Sequence, residues 1–358
     1  MSQKSSLMKT PQYVPGALTS DSNYDDDATH VFVVRSDGIW AYTVPVSLEE
    51  IKNAVAELRA GLNLSNIEKL SDTHSFDTTL AFELYEKLFK PAEKMLQGVK
   101  HLLVVPTGPL QSLPLGVLVT RKPKKPTNFA DYRDVPWLAK RYAITTLPSV
   151  SSLKTLRVFA TRTEADKPFI GFGDPVLDGP SGGGKGIKIA SLFRGAIADV
   201  EEVRKLSRLP DTADELRAMA RYLGADVSSI YLGKDATETK VKEINLSNAR
   251  VIAFSTHGLI SGDIKHLAEP GLVLTPPDKA TEADDGLLTA TEIAQLKLNA
   301  EWVILSACNT AHAESAGAEG LSGLAKAFFY AGSRALLVSH WPVESQSATD
   351  SHEVCSRP

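Results

Sequence analysis

The second half of the chain alternates between short apolar runs and segments with helical spacing. Apolar, β-branched runs predict strands at FIGFGDPV, SSIYLG, RVIAFSTHG, LVLTPP, WVILSACNT and RALLVSHWPV. Amphipathic segments between them predict helices near residues 196–206, 213–223, 238–244, 291–295 and 321–330. Apolar strands that alternate with helices form a mainly parallel sheet covered on both sides. The fold class predicted for this half is therefore α/β.

The first half carries fewer such units. Two strand patterns, HVFVVRS and IWAYTVPV, lie on either side of Asp37-Gly38 and predict a hairpin. Ser47, with Glu50 three residues later, predicts a capped helix to about Arg59. Helical spacing over residues 76–96 and the run HLLVVP then predict a second helix and another strand.

These patterns divide the chain into four segments. Residues 1–28 are polar and aperiodic, which predicts a disordered lead-in. Residues 29–165 and 166–345 are the two folded halves, and residues 346–358 form a polar tail. Within the first half, RKPKKPTN at 121–128 mixes charge with proline and predicts an exposed loop.

Composition excludes several classes of protein. The formal charge of −4 gives no global basic field, so we expect no direct nucleic-acid partner and no membrane partner. The chain has 2 cysteines, too few for a disulfide framework, and no run approaches the roughly 18 apolar residues of a membrane span. The N-terminal residues lack the apolar core of a signal peptide, and we therefore expect a cytoplasmic protein.

The candidate catalytic residues lie at the ends of two predicted strands. His257 and Cys308 each follow an apolar run, and the carboxyl ends of strands are where parallel sheets bind ligands. An imidazole that removes the thiol proton raises the reactive fraction of a cysteine. The pair predicts a nucleophile and its base, although a single buried His or Cys is more often structural.

Such a dyad needs donors for the oxyanion that forms on the scissile carbonyl. Gly258 lacks a Cβ, so its backbone N–H can approach a substrate closely, and the amide of Cys308 is the natural second donor.

Five sequence blocks carry a family resemblance. They are HLLVVPTGPLQSLPLGVL, GFGDPVL, VIAFSTHG, VILSACNTA and GAEGLSGLAKAFFYAGSRALLVSHWPV. Over roughly residues 29–344 the chain resembles the CHAT domain, a bacterial branch of the caspase-like cysteine peptidases related to separase. The resemblance implies a caspase-like three-layer sandwich preceded by a degenerate caspase-like half. It also implies that His257 is the catalytic histidine and Cys308 the nucleophile.

The residues around the dyad depart from related families. Caspases have Gln-Ala-Cys where this chain has Ser306-Ala307-Cys308, and metacaspases have an aspartate at the position of Ser306. Strict cleavage after aspartate is therefore not expected. The candidates for the substrate pocket are Asp174, Thr256, Ser306 and Glu319, although Asp174-Pro175 is also an ordinary turn and Glu319 is predicted in an exposed loop.

Two rival motifs are weaker. GPSGGGKG at 179–186 is similar to a phosphate-binding loop, but the Ser or Thr required after the lysine is Gly186. Cys308, His312, His352 and Cys355 have the spacing of zinc ligands, yet a site built from them would bring the polar tail back onto a buried strand end. We expect no metal and no cofactor.

The sequence predicts a cysteine endopeptidase that cleaves a protein or peptide substrate through an acyl-enzyme intermediate and is regulated by a protein partner. The alternative is an inactive caspase-like module that binds a peptide in the same groove, which the short C-terminal tail favours.

Overall fold

The computed structural model describes residues 27–62, 76–127, 129–147, 150, 165–179, 193–194, 197–259, 269–306 and 317–338. The chain divides into two compact units, Met1–Leu62 with Lys69–Arg157, and Asn63–Glu68 with Val158–Pro358. The predicted lead-in, apart from residues 27 and 28, and the predicted polar tail lie outside the described residues.

The first unit opens with a hairpin. Strands β1 (Thr29–Arg35) and β2 (Gly38–Val44) pair antiparallel, and Arg35 opposite Gly38 closes the turn. The hairpin prediction is confirmed, with the turn at residues 36–37, one position before the predicted dipeptide. Val31 and Val33 face the core of this unit.

Helix α1 (Leu48–Ala60) begins at the predicted cap. The Ser47 hydroxyl accepts the Glu50 N–H at 3.1 Å, and the Glu50 carboxylate accepts the Ser47 N–H at 2.8 Å. This reciprocal pair satisfies two backbone donors that the first helical turn leaves open. The capped helix is confirmed.

Helix α2 (Thr78–Leu88) is shorter than its hydrophobic pattern predicts. A 3₁₀ turn, Lys90–Ala92, follows it and contains Pro91. Proline has no N–H to donate, and its ring clashes with the preceding turn, so the helix ends although the apolar spacing continues to residue 96.

The rest of the first unit is built from short elements. Strands β3 (His101–Val104) and β4 (Ala143–Thr146) form a parallel pair. Between them lie helix α3 (Leu138–Arg141) and three 3₁₀ turns, Gly108–Ser112, Leu115–Val117 and Phe129–Asp134. Residues 122–126 of the basic loop have no regular structure. The degenerate caspase-like half stays a prediction.

The second unit contains a five-stranded sheet. Its strands are β5 (Lys167–Pro175), β8 (Ile230–Gly233), β9 (Ala249–Ser255), β13 (Trp302–Leu305) and β14 (Leu336–Val338), in the spatial order β14-β13-β9-β5-β8. All four pairings between neighbours are parallel. The predicted α/β class with a mainly parallel sheet is confirmed, and it is compatible with a caspase-like fold.

Five helices in the second unit are described. They are α4 (Val200–Arg204), α5 (Asp211–Leu223), α6 (Glu238–Glu243), α7 (Ala290–Gln295) and α8 (Gly317–Ala331). Helix α4 is shorter than predicted, because Asp199 caps it and two short strands, β6 (Phe193–Arg194) and β7 (Ile197–Ala198), precede it. No helix in the described part of the chain is long and apolar enough to cross a membrane.

Aromatic rings and small residues fix the layers of this unit. Phe254 in β9 stacks on Phe172 in β5 at 5.3 Å and contacts Phe328 of α8 at 5.7 Å, and all three are fully buried. A Cβ on Gly171 or Gly173 would press on Leu216 of α5. The glycines of GFGD therefore let α5 pack directly against β5.

A small antiparallel sheet follows β9. It consists of β10 (Gly258–Leu259), β11 (Gly271–Val273) and β12 (Leu287–Thr289). The predicted LVLTPP strand is β11, whereas β10 and β12 were not predicted from the sequence. This sheet begins immediately after His257 and therefore fixes the backbone on the far side of that residue.

Candidate active site

The carboxyl ends of three neighbouring strands meet at one edge of the sheet. Gly173 of β5 pairs with Ser255 of β9, and Leu305 of β13 pairs with Phe254. The Ser306 N–H donates to the Phe254 carbonyl at 2.9 Å, which continues the β9–β13 ladder by one step. Residues that follow these strands are therefore brought to a common edge, which is where parallel α/β sheets generally bind ligands.

His257 lies two residues beyond the end of β9. Its side chain is 3% exposed, and Nε2 lies 2.6 Å from the carbonyl oxygen of Ser207. A carbonyl only accepts, so this bond places the ring proton on Nε2 and the lone pair of the neutral imidazole on Nδ1.

The electrostatics favour the neutral ring. Burial lowers the pKa of His257, and the hydrogen bond to Ser207 opposes only part of this shift. An imidazole that is neutral near pH 7 can accept a proton, which is what a general base requires.

The Ser207 carbonyl is held by a close backbone pairing. The segment after β5 runs beside the connection between α4 and α5, with the Gly179 N–H donating to Leu206 O at 3.1 Å. A Cβ on Gly179 would press on the carbonyl oxygens of Lys205 and Leu206. The first glycine of the GPSGGGKG motif thus permits a close backbone approach, and residues 180–186 of that motif lie outside the described residues.

Gly258 is positioned by the small sheet. The Val273 N–H donates to the His257 carbonyl at 2.9 Å, which makes these two residues a hydrogen-bonded pair. Because such pairs alternate along an antiparallel ladder, the N–H of Gly258 points away from β11.

Two other candidates bond to the backbone. The Thr256 hydroxyl donates to the Val273 carbonyl at 2.5 Å and is fully buried, so it joins β9 to β11. Ser306 is 2% exposed and is the last described residue before Cys308. Both residues lie at the edge of the sheet where the sequence places them.

Asp174 lies at the same edge, in the register shift that ends β5. It has φ 44°, and among the described residues it is the only non-glycine with a positive φ. Its N–H donates to the Thr212 hydroxyl at 2.9 Å, and its Oδ1 lies 3.5 Å from Nε of Arg208.

The remaining candidates are not described in full. Cys308, with His312, His352 and Cys355 of the rival zinc motif, lies outside the described residues. Glu319 belongs to α8, which begins at Gly317 instead of Leu321, so the prediction of a loop at this position is wrong. The described part of the chain contains no group of three or more His, Cys, Asp or Glu able to hold a metal ion.

A buried charge cluster lies elsewhere in this unit. Glu238 is 1% exposed, and its Oε1 accepts Nζ of Lys242 at 2.5 Å, while the same ammonium donates to Glu292 at 2.8 Å. The other Glu238 oxygen accepts the N–H groups of Asp285 and Gly286 at 3.0 and 3.2 Å. The cluster anchors the loop between β11 and β12.

Ionisation of the cluster is uneven. Burial raises the pKa of Glu238 to about 8. Burial also opposes ionisation of Glu292, but hydrogen bonds from Lys242 and Thr289 outweigh it and lower the pKa of that carboxyl. One of the two carboxyls therefore keeps its proton near neutral pH.

Sequence reasoning missed Ser207, Arg208 and Thr212. Ser207 acts through a backbone carbonyl, which any residue type supplies, so no motif could indicate it. Arg208 and Thr212 act on Asp174 across a sequence separation of more than 30 residues. Only the packing of α5 on β5 brings them together.

The fold and the edge define an α/β protein whose parallel sheet presents a buried, neutral histidine at a strand end. A family model, the CHAT domain, matches residues 78–350. The chain belongs to the CHAT domain family, which is associated with caspase-like peptidases. No curated protein matches the sequence closely enough to count as a relative.

Proposed function

We propose that this protein is a cysteine endopeptidase in which Cys308 is the nucleophile and His257 the base. One observation supports the pair above all others. The ladder sets Ser306 level with Ser255. His257 and Cys308 each follow their member of this level pair by two residues, on neighbouring parallel strands.

Chain connectivity limits the distance between Cys308 and this edge of the sheet. Consecutive Cα atoms are 3.8 Å apart, so the Cα of Cys308 lies no further than about 7.6 Å from that of Ser306. Ser306 itself is bonded to the strand that leads into His257. Cys308 is therefore within covalent reach of the edge that carries the imidazole.

The chemistry follows from the tautomer. Nε2 donates to Ser207, so Nδ1 takes the proton from the Cys308 thiol. The thiolate attacks the scissile carbonyl, a carbon–sulfur bond forms, and the imidazolium protonates the departing amine as the carbon–nitrogen bond breaks. A water molecule then hydrolyses the thioester, which releases the acid product and the free thiol.

The oxyanion of each tetrahedral intermediate needs donors aimed at it. The Gly258 N–H is turned away from β11 by the alternation of the ladder, which supports its role as one donor. The backbone amide of Cys308 is the second. Thr256, Ser306 and Glu319 remain candidates for the pocket, together with Asp174.

The expected partners are a protein or peptide substrate and a regulatory protein that switches the enzyme, with no cofactor and no metal. We place the enzyme in the cytoplasm, because its 2 cysteines include a nucleophile that must stay reduced.

The test is covalent labelling by a peptide acyloxymethyl ketone, with the modified residue located by mass spectrometry. Of the 2 cysteines in the chain, Cys355 provides the matched control for Cys308. We expect labelling of wild type and of Cys355→Ala, and none of Cys308→Ala. The variant His257→Ala keeps the thiol and should react at least about 100-fold more slowly.

Cleavage of candidate proteins by wild type and by Cys308→Ala completes the test. If both variants behave alike and the ketone does not modify Cys308, the protein is an inactive binding module and the proposal is wrong.

A further inference from the structure

We propose that Asp174 selects a basic side chain, lysine or arginine, at the substrate position just before the cleaved bond (P1). This inference rests on the proposed peptidase function and adds the substrate class. It starts from a carboxylate that the local structure does not explain.

The position of Asp174 is the first argument. Gly173 pairs with Ser255, so the next residue along β5 lies at the edge that carries His257. The register shift between Gly173 and Pro175 takes Asp174 out of the ladder. Asp174 therefore lies near the end of β5 without a paired residue in either neighbouring strand.

The backbone strain is the second argument. A positive φ is unfavourable for a residue with a Cβ, and glycine would adopt it without strain. The Thr212 hydroxyl accepts the Asp174 N–H and donates to Leu209 O at 2.7 Å, which fixes the strained backbone from the start of α5. The molecule holds a carboxylate where a glycine would be less strained.

The state of the carboxylate is the third argument. An aspartate that only makes a turn uses its oxygens to accept nearby backbone N–H groups. Oδ1 of Asp174 is buried and accepts no hydrogen bond from the part of the chain that the structure describes. A turn therefore accounts for the bend and leaves the charge unexplained.

Arg208 occupies this oxygen only loosely. Its Nε lies 3.5 Å from Oδ1, and its side chain is 54% exposed. A contact at this distance is at the outer limit of a hydrogen bond, so a substrate cation that approaches Oδ1 can displace the guanidinium. The Asp174 carboxylate is 15% exposed, which makes its attraction for an incoming cation stronger than that of a surface acid.

The same charge acts against other substrates. An acidic P1 side chain would meet a buried carboxylate of like charge, and an apolar one would leave that carboxylate with Arg208 alone. The expected order is therefore basic above apolar and apolar above acidic.

The test uses peptide acyloxymethyl ketones that differ only at P1, with lysine, norleucine or glutamate, applied to the full chain. The readout is the ratio of the lysine rate to the norleucine rate for modification of Cys308. Norleucine has a similar length without the charge. Iodoacetamide, which has no P1 group, corrects for changes in the thiol itself.

We expect a ratio of about 100 in wild type and a ratio near 1 in Asp174→Asn, which keeps the shape and removes the charge. Arg208→Gln removes the competing cation and should raise the ratio. A purely structural ion pair predicts otherwise: Arg208→Gln would then lower stability and leave the ratio unchanged.

Two failures are distinguishable. If the ketones modify Cys308 but the wild-type ratio is near 1, or if the preference survives in Asp174→Asn, this inference is wrong and the peptidase proposal stands. If no ketone modifies Cys308, the peptidase proposal falls and this inference falls with it.

Discussion

Replacing Glu238 by glutamine should remove a pH dependence from the stability of the second unit. The cluster of two carboxyls and one ammonium is neutral only when one carboxyl keeps its proton. Burial raises the pKa of Glu238 from 4.5 to about 8, whereas the pKa of Glu292 is lowered, so the proton belongs to Glu238. Between pH 4.5 and about pH 8, the folded chain therefore binds one more proton than the unfolded chain.

The sign and size follow from linkage. Where the folded state binds the extra proton, the free energy of unfolding falls as pH rises, by at most about 1.4 kcal/mol per pH unit. The stabilising contribution is complete below pH 4.5 and is lost as pH rises through about 8. Between about pH 6 and pH 8, wild type should lose roughly 2–3 kcal/mol relative to Glu238→Gln, which cannot ionise.

Urea unfolding followed by far-ultraviolet circular dichroism, repeated across this pH range, measures the difference between the two proteins. Glu243→Gln is the matched control, because Glu243 is exposed on the same helix and lies outside the cluster. A difference between wild type and Glu238→Gln that stays constant from about pH 6 to pH 8.5 would refute the reasoning. Glu238 would then be ionised in the folded state as well.

Three further predictions concern the edge and the core. Burial lowers the pKa of His257 from 6.5, so the rate at which the ketone labels Cys308 should decrease on acidification only below about pH 6.5. A decrease centred above pH 7 would contradict the role of a buried neutral base. Gly179→Ala should slow the same labelling about 10- to 100-fold, because the added Cβ displaces the backbone that holds the Ser207 carbonyl. An unchanged rate would show that this carbonyl does not orient the imidazole. Phe254→Ala should lower the free energy of unfolding, measured by urea denaturation, by about 3–5 kcal/mol. Val227 is 70% exposed, so Val227→Ala should change this free energy by less than about 0.5 kcal/mol, and equal losses would argue against the stacked core.

The sequence predicted the parts of this protein that depend on side-chain pattern. Strands β5, β9 and β13 are runs of buried apolar residues, and the Ser47–Glu50 cap is a local pair of side chains. Strand ends at one edge follow from parallel pairing, so the placement of His257 and Asp174 was predictable as well.

The parts that depend on the backbone were not predictable in this way. Strand β10 is two residues long and has no pattern of its own, and the carbonyl that contacts His257 carries no residue signature. Helix α2 ends ahead of its apolar pattern because Pro91 overrides periodicity. The conformation of Asp174 is similar: Asp-Pro predicts a bend, but the strain and the buried oxygen emerge only from the packing of α5.

The connection between α4 and α5 serves two side chains from adjacent positions. Ser207 contacts the imidazole through its carbonyl, and the next residue, Arg208, lies beside the Asp174 carboxylate. Any shift of this short peptide therefore moves both the hydrogen-bond partner of His257 and the counterion of Asp174. In the proposed peptidase, turnover and side-chain preference should consequently be difficult to adjust one at a time, and selections for altered preference that act on this peptide should carry a rate penalty.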